Sequence, residues 1–126
     1  MAHEGYHEPL ESLAAPTIER HRAIVSLMEE LEAVDWYDQR VDASTDPTLA
    51  GVLAHNRDEE REHAAMLLEW LRRNDPNWDR FLRKYLFTEG DILGIEEAGA
   101  GAPGTGDTAV AGAGLGLGNL EGSAAP

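Results

Sequence analysis

The sequence predicts an all-α protein built on one antiparallel pair of long helices. Three observations predict it. Two long stretches carry apolar residues at helical spacing. A turn that pairs a capping aspartate with a proline separates them. No stretch alternates apolar and polar residues as a strand would, and no internal repeat is present.

The first long helix is predicted from about Pro16 to Asp42, with Pro16 in its first turn. Ala23, Leu27, Leu31, Val34 and Val41 form its apolar stripe. Ahead of it, Leu10 and Leu13 indicate a short helical turn. Ser44-Thr45-Asp46-Pro47 stops the first helix and starts the second, with Asp46 as cap and Pro47 at the first helical position. The second helix is expected to reach about Asn74. Asp75-Pro76 repeats the device and opens a shorter helix to about Phe87. A further short helix is expected within Thr88 to Ala98.

Each long helix would extend about 40 Å, and the short turn makes them antiparallel. One such pair has a core on one side only. A second copy related by a two-fold axis is the simplest cover, and two pairs make a four-helix bundle.

Composition bounds the chemistry. The chain has 126 residues, the length of one domain, and no cysteine. That excludes disulfides, thiolate metal sites, iron–sulfur clusters and a cysteine nucleophile. Ten basic against 24 acidic residues give a formal charge of −14, which disfavours a nucleic-acid partner. No apolar run has the roughly 20 residues of a membrane span. The N-terminal residues lack the basic and apolar regions of a signal peptide, so a cytosolic location is expected. Composition shifts near Ala98. Residues 1–98 are expected to form the helical domain and 99–114, rich in Gly and Ala, a flexible linker. Residues 115–126 stand apart through Leu115, Leu117 and Leu120.

The second helix carries the chemistry. Leu49, Leu53, Asn56, Glu60, His63, Leu67, Trp70 and Asn74 recur at alternating spacings of four and three, a seam that faces a partner helix. An ionised carboxylate in a seam is costly unless paired or bound to a cation. Glu60 and His63 share one helix face, where a carboxylate and an imidazole together grip a metal. On the first helix, Glu30 lies within about 60° of Leu27 and about 40° of Val34, at about 100° per residue. It therefore points inward, whereas Glu29 and Glu32 point outward.

Glu-x-x-His opposed by a lone Glu is the ligand pattern of di-iron helix bundles, which need two such motifs. This chain has one, Glu60 to His63. Two copies would supply four carboxylates and two imidazoles, a donor set that suits iron or manganese better than structural zinc. The competing reading is a buried Glu30–His63 hydrogen-bonded pair with Glu60 near an arginine.

Glu29-Glu30-Leu31-Glu32-Ala33-Val34-Asp35-Trp36-Tyr37, followed by His55-Asn56-Arg57-Asp58-Glu59-Glu60-Arg61-Glu62-His63-Ala64-Ala65, resembles the encapsulated ferritin family, the iron-oxidising cargo of bacterial encapsulin shells. The similarity runs from about Glu8 to Ile95 and includes Leu71-Arg72-Arg73-Asn74-Asp75 and Tyr85-Leu86-Phe87-Thr88-Glu89-Gly90. Leu115-Gly116-Leu117-Gly118-Asn119-Leu120-Glu121-Gly122 resembles the peptide by which such cargo docks on the shell. The N-terminal lead, Pro16 included, and the exact tail depart from the pattern.

The resemblance implies a ferritin-like half-bundle whose four-helix bundle is completed by homodimerisation. It implies a ferroxidase with a di-iron centre between two subunits, dimers assembled into a ring, usually a decamer, and iron stored within an encapsulin shell in the bacterial cytoplasm. It implies Glu30, Glu60 and His63 as ligands, Glu29 and Glu32 as an outer metal-attracting pair beside Trp36, and Tyr37 close to the centre. Two other functions fit the same ligands. One is a scaffold holding a structural cation such as zinc or calcium. The other is a peroxide-reducing di-iron protein of rubrerythrin type.

Overall fold

The computed structural model describes residues 5–100. The tail residues Leu115, Leu117 and Leu120, and with them the expected linker and docking segments, lie outside the described residues. The described residues are helical throughout, with no strand among them. A 3₁₀ turn, Leu10–Ser12, precedes four α-helices: α1 Ala15–Ala43, α2 Pro47–Asn74, α3 Pro76–Tyr85 and α4 Ile92–Ala100. None is long and apolar enough to cross a membrane. The chain divides after Leu71 into two compact units, described separately below.

The first unit holds α1 and most of α2. α1 opens with Pro16 inside its first turn, where its missing N–H costs nothing. The backbone leaves α1 at Ser44, which is extended, and α2 begins three residues later. Asp46 makes the restart: its Oδ1 accepts from Thr48 N at 3.0 Å, and its carbonyl accepts from Ala50 N at 2.9 Å. Three residues leave no room for a crossover, so α1 and α2 form an αα-hairpin.

The interior of this unit is thin. Ala23, Ala64 and Leu71 are the buried apolar residues among those described. Ile24 and Leu31 on α1, and Leu49, Val52, Met66 and Trp70 on α2, remain exposed. Leu31 belongs to the apolar stripe, and Leu49 and Trp70 to the seam. These positions keep an apolar face that one hairpin alone does not cover.

The second unit contains α3 and α4. Asp75 caps α3, accepting from Asn77 N at 2.9 Å. Asp79 on α3 accepts from Arg83 Nε at 2.9 Å and from Arg72 Nη1. α3 ends at Tyr85, two residues before the expected Phe87. Phe87 has φ +64°, a left-handed conformation incompatible with continuing the helix. α4 starts at Ile92, later than the Thr88 boundary, because Gly90 turns the chain at φ +97° and Asp91 Oδ2 caps the helix through Gly94 N at 2.8 Å. α3 and α4 touch where Lys84 occupies the space that a Cβ at Gly99 would need.

Candidate metal centre

Glu30 comes from the middle of α1, and Glu60 and His63 from the middle of α2. The hairpin brings the three together, with one ligand atom from each lying within 4.8 Å of the others. His63 Nδ1 stands 3.2 Å from Glu60 Oε1 and 3.8 Å from Glu30 Oε1. The imidazole therefore leans on its own helix neighbour more closely than on Glu30, and a simple Glu30–His63 pair is not what forms. Neighbouring Arg61 turns away from Glu60 to Asp58 at 3.0 Å.

Burial is graded around the cluster. The side chains of Glu30 and Glu60 are 25% and 26% exposed, and that of His63 is 49% exposed. The carboxylates are partly withdrawn from water, while the imidazole opens toward the uncovered side. Glu30 sits above the ordinary carboxyl range, first because its carboxyl hydrogen-bonds that of Glu60, then through burial and the charge of Glu60. Glu60 sits below it, first through the same bond to Glu30 and then through His63, against an opposing effect of burial. Two carboxylates at this distance cannot both ionise without cost, and a shared proton or a cation relieves them. Hard oxygen donors with one imidazole fit a divalent cation of the iron or manganese kind. Two carboxylates and one imidazole are half the number of donors that a di-iron helix bundle uses.

Among the described residues the cluster holds these three alone. Glu29 is exposed and Glu32 half-buried, and the cluster does not include them. Trp36 is exposed and Tyr37 half-buried, further along α1, and the Arg40 guanidinium lies 5.8 Å and 5.4 Å from their ring centres.

One group near the cluster had no place in the sequence reading. Arg57 Nη1 reaches across from α2 to Asp38 Oδ1 on α1 at 2.9 Å, and its Nε reaches Asp58 Oδ1 at 3.3 Å. The signal was present. In an antiparallel hairpin, Asp38, eight residues past Glu30 on α1, and Arg57, six residues before His63 on α2, both lie on the turn side of the cluster.

The EncFtn-like family model matches residues 5–89, a span that includes the whole cluster. The chain belongs to the EncFtn-like family. An encapsulated ferritin-like protein of Rhodospirillum rubrum is 65% identical over 125 residues, covering 94% of this chain and 89% of that protein. A ferritin-like protein of Thermotoga maritima is 56% identical over 98 residues, covering 78% and 86% respectively. The crystal structure of protein ne0167 from Nitrosomonas europaea superposes with a TM-score of 0.67 at 61% identity, covering 70% of this chain and 97% of that one. The all-α, ferritin-like fold expected from sequence is thus the fold of this EncFtn-like chain.

Proposed function

We propose that the protein is a ferroxidase that takes Fe(II) as substrate and passes its electrons to dioxygen at a centre shared by two copies of the chain. The convergence of Glu30, Glu60 and His63 within 4.8 Å carries this reading. Family membership and the names of the relatives, encapsulated ferritin-like and ferritin-like, support it.

Each residue has a part that follows from its surroundings. Glu30, partly buried and facing Glu60, offers two oxygens and would bridge the ions held by the two copies. Glu60 and His63, one turn apart on a single helix, would together hold one ion. A proton shared by Glu30 and Glu60 would leave as the cation enters, because the cation's charge would replace it. Glu29 and Glu32 on the outer face of α1 gather Fe(II) from solution, beside Trp36, and Tyr37 stands near the centre. Iron bound here supplies the one-electron chemistry, and the product Fe(III) moves on as mineral.

A second copy completes the centre. One chain supplies two carboxylates and one imidazole, and the exposed Leu31, Leu49 and Trp70 need cover. The dimer buries both, making the four-helix bundle. Dimers assemble into a ring, a decamer, inside an encapsulin shell in the bacterial cytoplasm. The domain 1–98 carries the centre, 99–114 links, and 115–126 docks on the shell through Leu115, Leu117 and Leu120.

Aerobic Fe(II) oxidation followed by absorbance tests the site. Glu60→Ala and His63→Ala should each lose more than the roughly 10–100-fold that removal of an outer partner costs. A parent-like rate in either variant rejects the assignment.

A further inference from the structure

We propose that Arg57 is a positioning residue, which fixes the register of α1 against α2 and so holds Glu30 level with Glu60 and His63. The inference rests on the proposed metal centre and concerns what keeps its three ligands together.

Glu30 is on a different helix from its two partners, so the cluster exists only if the helices stay in register. A slip of one residue moves a ligand by about 1.5 Å along the axis. Sites of this kind require placement within about 0.5 Å. Packing within the hairpin is a weak guard against such a slip. Its buried residues are Ala23, Ala64 and Leu71, and two of these are alanines that present no deep knob to a facing hole.

The link between Arg57 and Asp38 is a stronger guard. Arg57 is 20% exposed, the least exposed member of its group, while Asp38 is 53% exposed. Its guanidinium uses two edges at once. Nη1 crosses to Asp38 on α1, and Nε stays on α2 with Asp58. Arg61 closes the group, 3.0 Å from Asp58 and 3.8 Å from Asp38. Two cations and two anions therefore form a neutral set spanning both helices, in a chain of net charge −14. A planar fork anchored on both helices resists sliding where a single flexible charge would follow it. Arg57 lies three residues before Glu60 on α2, and Asp38 eight residues beyond Glu30 on α1, both toward the turn between the helices.

The test uses the full chain with Co(II) alone as probe, reading affinity and the visible Co(II) absorption band. Arg57→Met and Asp38→Asn should each weaken Co(II) binding about tenfold, the lower end of the cost of losing a supporting partner, and should alter the band. The double variant should be no weaker than either single one, since both remove one contact. Arg57→Lys should restore binding only in part. Far-UV circular dichroism reports whether helix content is kept. A parent-like affinity and band in Arg57→Met overturns the proposal, as does a double variant with the two losses added. Glu60→Ala separates the two levels. If it too binds Co(II) like the parent, the metal centre itself fails and the positioning role falls with it. If it loses Co(II) while Arg57→Met does not, the positioning role alone falls.

Discussion

Glu30 on α1 and Glu60 on α2 meet carboxyl to carboxyl, and the contact drives their titrations in opposite directions, Glu30 upward and Glu60 downward. A proton shared between two such carboxyls would relieve their repulsion in the metal-free protein.

The sign follows from that opposition. A raised carboxyl stabilises the fold while it stays protonated, and its contribution is lost as pH rises through its folded-state value. Glu60, lowered, contributes in the other direction and loses its contribution as pH falls. Glu30→Gln keeps a donor toward Glu60 without a charge that must ionise. In metal-free protein it should raise the thermal midpoint by a few degrees at neutral pH, a change below about 1 kcal/mol in a chain this small, and leave it unchanged in acid. Differential scanning fluorimetry at both pH values checks this; an equal shift at both contradicts the shared proton.

Metal should drive association. Each chain carries half the ligands, so Fe(II) or Co(II) should convert monomer to dimer, and a chelator should reverse it. Native mass spectrometry reads the change directly. Leu31→Asp, which places a charge on the uncovered face, should suppress the dimer while keeping the hairpin's helix content. A chain that stays monomeric at saturating metal would sink the shared centre.

The tail should separate from the chemistry. Deleting residues 115–126 is expected to abolish co-purification with a co-expressed encapsulin shell protein, with Fe(II) oxidation by the purified chain unchanged. Retained encapsulation argues against docking through Leu115, Leu117 and Leu120.

Phe87 is the strained point of the second unit. Its φ of +64° is costly for a residue with a Cβ, and at 96% exposure it finds little packing among the described residues to offset the cost. Phe87→Gly should stabilise the isolated chain by up to about 1 kcal/mol. Denaturant unfolding checks it. A net loss would mean that the aromatic ring is held by contacts formed in the folded chain.

Much was legible from residue order alone, for a local reason. Capping aspartates, prolines and apolar spacing act within a few residues, so Asp46-Pro47 and Asp75-Pro76 marked helix starts at the positions where α2 and α3 begin. The end of α3 was misjudged because Phe87 adopts a left-handed conformation that its residue type disfavours. Glu60 and His63 were linked by helical spacing, and Glu30 by its place on the apolar stripe.

The sequence by itself determined the helix class, the two long elements and the three residues that meet in the cluster, since each depends on periodicity along one helix. Only the tertiary structure decided which partner His63 leans on, that the Glu30 and Glu60 carboxyls meet and shift in opposite directions, and that Arg57 ties α2 to Asp38. Those facts depend on distances between helices, set by how two surfaces fit once the chain has turned back on itself.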